Sequence, residues 1–131
     1  MSPLYTPTLL EHFANPRHVG TLPDADASAQ GGGGPLCPED MAYVWIKVRD
    51  GRIVEIRHKT MGCPVAVASS SMTCTLAEGK TLDEALEITA EKVIAALGGV
   101  PERKVDSVVA TEALRKAIEA YRERHPTAAE P

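Results

Sequence analysis

Asp50-Gly51 stands between two strand-like runs, "MAYVWIKV" at 41–48 and "RIVEIRHKT" at 52–60. An Asp-Gly pair between such runs is a strong short-range hairpin signal, because glycine accepts the left-handed backbone that a tight turn requires. The apolar face then decides the register. A two-residue loop of Asp50-Gly51 sets Ile46 opposite Glu55 and mixes apolar with charged side chains. A three-residue loop over 49–51, with Gly51 left-handed, sets Ile46 opposite Val54 and Val44 opposite Ile56. Only the second gives one coherent apolar face, and it is the expected register.

Past the hairpin the period changes. "KTMGCPVAVASSSMTC" (59–74) breaks at Met61-Gly62 and then reads as a helix from Cys63 that stops at Gly79. "TLDEALEIT" opens on Thr81 with Glu84 three residues on, a capping-box pattern. "AEKVIAALGG" is a further helix stopped by glycines. The last, "DSVVATEALRKAIEAYRERH", places Val109, Ala113, Ala117, Ile118 and Tyr121 on one stripe. Ahead of the hairpin, a short helix is expected over 8–14, with Leu9, Leu10 and Phe13 sharing a face, and "NPRHVG" ends it. Residues 21–36, "TLPDADASAQGGGGPL", show no hydrophobic period and read as a loop with mobile glycines. There is no internal repeat. A hairpin plus a run of helices is an α+β arrangement, expected as one domain over 1–126 with a frayed tail at 127–131.

The 131 residues suffice for one core, and with 44% apolar but only 4% aromatic residues that core should be aliphatic. A net charge of −4 with acids and bases intermixed argues against a nucleic-acid partner. No run approaches the roughly 18 apolar residues of a membrane span, and "MSPLYTPTLL" does not read as a signal peptide. A cytoplasmic protein without a membrane partner is expected. Three cysteines in a reduced compartment serve metals or chemistry more often than disulfides.

With Pro64 at the first helical position, Cys63 falls at or beside an N-cap, where unpaired N–H groups and the helix dipole favour a thiolate. The competing role is a small buried hydrophobe. Cys37 follows "GGGGPL" and precedes Glu39 and Asp40, so a loop can carry thiolate and carboxylate together, a mix suited to zinc or ferrous iron. The competing role is an isolated loop cysteine. The glycine run is no phosphate cradle, since no Gly-Lys-Ser/Thr follows. Cys74 lies eleven residues along the helix from Cys63, roughly 16 Å away, and belongs to the core. No C-x-x-C pair or Cys-His cluster is present, so spacing alone reaches only a two-thiol metal site at a helix mouth.

At these residues the chain resembles the NifU/IscU-type iron–sulfur cluster assembly scaffolds, almost end to end. "HFANPRHVG" is similar to the family's H-Y-x-N-P-R-N-V-G, "GGPLCPEDM" to G-A-P-x-C-G-D-x-M, and "KTMGCPVAVASSS" to K-T-x-G-C-x-x-A-x-A-S-S-S. "GKTLDEA" matches G-K-[ST]-L-D-E-A, and "ALGGVPERK" is similar to an L-x-x-P-P-x-K loop. The resemblance implies a three-stranded antiparallel sheet with helices packed on it. It also implies a labile cluster, such as 2Fe–2S, held by three cysteines, an aspartate and sometimes a histidine. A cysteine desulfurase would supply sulfur, and apo acceptor proteins would receive the cluster; the protein would be a carrier and not an enzyme.

Carried over, Cys37 and Cys63 match the first two cysteines, and the aspartate falls on Glu39, with Asp40 its rival if the loop is one residue longer. The third cysteine is missing. Against the family's K-x-H-C-S-x-L-A the chain places Asp106 at the cysteine and Val105 at the histidine. Cluster iron prefers thiolates, so a cluster would be held weakly, whereas a single zinc or ferrous ion tolerates two sulfurs with two carboxylates. The expected site is Cys37, Cys63 and Asp106, completed by Glu39 or Asp40; the competing role of Asp106 is to cap the last helix. Of the histidines, His12 is expected in packing or at an interface, His58 on the strand face or edge, and His18 and His125 at the surface. The proline segment that can engage a chaperone is degraded at Glu102-Arg103, which argues against that partner. The alternative function is a divergent relative that binds one zinc or iron ion, or carries sulfur on Cys63, and acts through protein contacts. A thiol enzyme with Cys63 as nucleophile is disfavoured, because no motif places a histidine base beside it.

Overall fold

The structure, a computed structural model, describes residues 5–126. Asp50 (φ 54°) and Gly51 (φ 73°) form a two-residue left-handed turn between β2 (Met41–Arg49) and β3 (Arg52–Met61). The three-residue loop expected from the apolar face does not form. Arg49 pairs with Arg52 and Val48 with Ile53; a bulge at Lys47/Val48 then passes over Val54, so that Lys47 meets Glu55 and Ile46 meets Ile56. The bulge restores the in-out alternation that the short turn alone would have reversed. Val54 is the extra residue and is exposed, while Ile53 and Ile56 are fully buried.

A third strand, β1 (Ala27–Gly32), pairs antiparallel with β2, from Ala27 opposite Ile46 to Gly32 opposite Met41. The sheet order is β1-β2-β3, the α+β fold that the resemblance implied. The reading of residues 21–36 as a mobile loop is thereby corrected: six residues of that stretch, Ala27–Gly32, form a strand. Its inward positions, Ala27, Ala29 and Gly31, are too small to register as a hydrophobic period. They are small because α5 (Ala110–Arg124) presses on them. A Cβ at Gly31 would lie 2.4 Å from the Val109 carbonyl oxygen and 2.9 Å from the Ala113 nitrogen.

The other helices are α1 (Pro7–Ala14), α2 (Pro64–Ala77), α3 (Leu82–Leu86) and α4 (Ala90–Ala96), with a 3-10 stretch at Glu102–Ser107 before α5. Thr81 and Glu84 complete the capping box of α3. Helix α2 lies between two cores. Cys74 and Ala77 join Val44, Ile46, Ile56 and the α5 stripe against the sheet. Val65, Ala68 and Met72 join Leu9, Val93, Leu97 and Val108 on the other side. In α1 the buried pair is Leu9 with His12, correcting the expected face; Leu10 and Phe13 point outward. Burying a leucine such as Leu9 contributes about 2 kcal/mol. The expected tail at 127–131 lies outside the described residues.

The free edge of β3 is closed by the segment after α1. His58 donates its amide to the His18 carbonyl (2.7 Å), and the Gly20 amide donates to the His58 carbonyl (2.9 Å). The His58 ring is buried, with Nε2 3.0 Å from the Arg17 carbonyl and Nδ1 2.9 Å from Thr60 Oγ1. A carbonyl only accepts, so Nε2 carries the proton and Nδ1 receives the Thr60 hydroxyl. Burial pushes the His58 pKa down from 6.5 to about 4.

Two outcomes are expected. Gly31→Ala forces α5 off the sheet and lowers the urea-unfolding free energy by about 1–3 kcal/mol, whereas at Gly32 an added Cβ meets nothing within 4 Å, so Gly32→Ala costs under about 0.5 kcal/mol. His58 stays neutral in the folded protein down to about pH 4, while the unfolded chain takes up its proton near 6.5. Its share of stability is complete above that upper value and is lost as pH falls toward the lower, a loss of up to about 3 kcal/mol. Unfolding free energy measured across this range should fall with acid, and His58→Phe, though less stable throughout, should show a shallower slope.

Candidate metal centre at the mouth of α2

Cys63 is the N-cap of α2 (φ −75°, ψ 172°), with Pro64 as the first helical residue. An N-cap side chain ordinarily accepts an amide hydrogen from the first turn, but the thiol makes no such bond. Its sulfur instead faces sideways, 3.5 Å from Asp40 Oδ2 and 3.2 Å from Ser107 Oγ. The Cys63 amide donates to Asp40 Oδ1 at 3.3 Å, so one carboxylate addresses both the backbone and the thiol. Asp40 is buried, and it reaches this place because residue 62 has no side chain: a Cβ on Gly62 would fall 2.2 Å from Asp40 Oδ1.

Cys37 arrives on the loop 33–40 between β1 and β2. That loop closes on itself, contrary to the expected flexible tether. The Gly33 amide donates to the Asp40 carbonyl (2.8 Å), Cys37 to Gly34 (3.0 Å) and Asp40 to Cys37 (3.2 Å). Cys37 is buried, and its Sγ lies 3.0 Å from the Ser107 hydroxyl. The two thiols therefore converge on one side chain. Ser107 is fully buried, and its carbonyl accepts the Ser69 hydroxyl of α2 at 3.4 Å. Sequence reasoning passed over it, although Ser107 falls on the serine that follows the cysteine in the family's K-x-H-C-S-x-L-A pattern.

Of the two candidate carboxylates, Asp40 is the one brought to Cys63, and Glu39 is exposed. Asp106 lies beside the same loop, where its Oδ2 accepts the Leu36 amide at 3.0 Å. A Cβ on Gly34 would come within 2.6 Å of that oxygen. Nor does Asp106 cap the last helix: the N-cap of α5 is Val109, because residues 102–107 wind as a 3-10 turn first. Among the described residues no group of three or more His, Cys, Asp and Glu side chains is arranged to hold a metal ion. The convergent set is two thiols, one carboxylate and one hydroxyl. Sulfur and oxygen donors of this kind suit zinc or ferrous iron.

Cys74 sits in the sheet-side core, where burial foremost, and then the Glu78 carboxylate, push its thiol pKa up. It is an inert core residue. His12 is buried, its Nδ1 2.7 Å from Ser71 Oγ, which also accepts the Arg17 amide at 2.9 Å. Burial lowers its pKa, and it fastens α1 to α2. His18 is half-buried with left-handed backbone (φ 63°), and His125 is exposed. A cleft of about 450 Å³ lined by Tyr5, Leu36, Pro101, Arg103 and Lys104 adjoins the Cys37 loop.

Residues 4–128 match the NifU-like N terminal domain family. The chain belongs to that family. It is similar to an iron–sulfur cluster assembly scaffold protein IscU of Archaeoglobus fulgidus, 45% identical over 119 residues that span 90% of this chain and 76% of the relative. A scaffold protein of the same name from Aquifex aeolicus is 37% identical over 92% of this chain and 78% of its own. Among solved structures, the N-terminal NifU-like protein of Brucella abortus superposes with a TM-score of 0.73 at 24% identity, covering 92% of this chain and 96% of that one. That likeness concerns the fold, and it agrees with the three-stranded sheet and its helices.

The Asp106 carboxylate gives the site a measurable handle. Asp106→Ala should speed hydrogen exchange at the Leu36 amide roughly tenfold, about 1.4 kcal/mol for one charge-assisted bond, while amides in β2 keep their rates. Asp106→Asn, which keeps an acceptor oxygen, should recover most of the protection.

Proposed function

We propose that this protein is an iron–sulfur cluster assembly scaffold whose single domain holds iron or a nascent cluster as cargo on Cys37 and Cys63 and passes it to acceptor proteins. The observation that carries the reading is the convergence of both thiols on one buried hydroxyl, with Asp40 alongside, at a helix N-terminus. The family and its scaffold relatives support the same reading.

Two sulfurs where the family pattern has three should leave the cargo loosely held, which suits a protein that must give it up. Cys63 is half-buried and Cys37 buried, so the sulfurs are shielded yet lie just beneath the surface. Exposed apolar side chains occur on the three segments that carry the donors, namely Leu36, Met61 and Val105. A desulfurase delivering sulfur and an apo acceptor receiving the cluster would each cover them in turn. In this role the protein is a carrier and performs no bond-making of its own on a small-molecule substrate. Among the described residues no helix is long and apolar enough to cross a membrane, and a cytoplasmic site of action fits the reading.

A second reading has its own observation: an S2O2 donor set suits one zinc or ferrous ion better than cluster iron. Anaerobic reconstitution with ferrous iron, cysteine and a cysteine desulfurase separates the two. The scaffold should turn brown, with visible absorption that Cys37→Ala and Cys63→Ala each abolish and that moves to an added apo-ferredoxin. A colourless protein with one tightly bound ion would replace the scaffold with the single-ion relative. No uptake of metal at all would remove both.

A further inference from the structure

Alignment with the family pattern puts the missing third sulfur ligand at Asp106, but the fold turns a different residue toward the sulfurs. Ser107 Oγ is 3.0 Å from Cys37 Sγ and 3.2 Å from Cys63 Sγ, and Asp40 Oδ2 is 3.5 Å from Cys63 Sγ. An ion bound tetrahedrally at about 2.3 Å from sulfur and about 2.0 Å from oxygen sets adjacent sulfur and oxygen donors about 3.5 Å apart. The three sulfur–oxygen separations thus fall at or a little inside the edges of such a shell. Asp106 has its Oδ2 on the Leu36 amide, at the loop backbone.

We propose, on the reading of Cys37 and Cys63 as cargo ligands, that Ser107 supplies the third donor: its hydroxyl completes an S2O2 cage with the two thiolates and Asp40. Ser107 is fully buried, its backbone carbonyl accepts from Ser69 of α2, and its hydroxyl already lies against both sulfurs. Loading is an exchange of protons for metal without change of oxidation state. The two thiol protons leave to solvent as a divalent ion enters, and the hydroxyl keeps its proton and binds through an oxygen lone pair. With two thiolates and one carboxylate the loaded site carries one net negative charge. A neutral hydroxyl is a weak ligand beside a thiolate, which makes Ser107 the bond that opens first when cargo is handed on.

Anaerobic titration with cobalt(II) tests this, because thiolate-to-cobalt charge-transfer absorption counts the sulfurs bound. Ser107→Cys should raise that absorption by about half, as two thiolates become three, and tighten binding about tenfold or more. Asp106→Cys should leave the absorption at the parent value. Ser107→Ala should weaken cobalt binding about tenfold with the absorption per bound ion unchanged. Unchanged affinity in Ser107→Ala, or a third thiolate in Asp106→Cys but not in Ser107→Cys, would overturn the assignment and leave the two-cysteine reading standing. Parent protein that takes up no cobalt would instead overturn that reading itself. Should the Ser107 variants fail to fold, X-ray absorption of the cobalt-loaded parent decides: two sulfurs with two oxygens support the cage, and an imidazole in the shell or a single sulfur refutes it.

Discussion

A helix with neighbours on every side has no free face along which to slide, and α2 is such a helix. Cys74 and Ala77 are locked into the sheet, while Val65, Ala68 and Met72 are locked against α1, α4 and the 3-10 stretch. Close approach on all sides demands small side chains, and the run Ala66 to Ser71 supplies them. Ser69 and Ser71 return their hydrogen bonds locally or across to neighbours, whereas the buried Ser70 hydroxyl has no partner among the described residues. Ser69 donates to the carbonyl of Ala66 and lies near that of Ser107, Thr73 donates to Ser69, and Ser71 receives the Arg17 amide. Buried hydroxyls so paired cost little. The mouth of the helix, and the Cys63 sulfur with it, is therefore a fixed point against which other segments are placed.

Those segments reach it by backbone economy more than by side-chain attraction. The 33–40 loop folds onto its own amides, and residues without side chains let it and Asp40 come close: Gly34 beside the Asp106 carboxylate, Gly62 beside Asp40. On the far side the 3-10 stretch shortens the approach to α5, which puts Ser107 rather than Asp106 beneath the two sulfurs.

Much of this was legible in the chain. The α2 boundaries, the N-cap position of Cys63, the Thr81–Glu84 capping box and the core role of Cys74 all follow from local signals that tertiary packing left intact. What escaped did so for identifiable reasons. β1 is built from alanine, serine and glycine because α5 leaves room for nothing larger, so it carries no apolar period. The hairpin register could not be settled by matching faces, because a bulge at Lys47/Val48 allows the short turn and the apolar match together. In α1 a histidine took the inward place expected of Phe13, since Ser71 offers its ring a partner. At the site, the sequence could name two sulfurs and a nearby carboxylate, but not which of two adjacent residues faces inward through a 3-10 turn.

Three stretches far apart in the chain contribute the inward-facing donors: the 33–40 loop, the start of α2 and the end of the 3-10 stretch. Any guest seated among them acts as a clasp on the whole fold, because it binds only when all three are in place, and a guest that binds only the folded chain stabilises it. Emptying the seat then undoes the clasp. The protein that has just surrendered its load is, by the same thermodynamics, the less firmly fastened one.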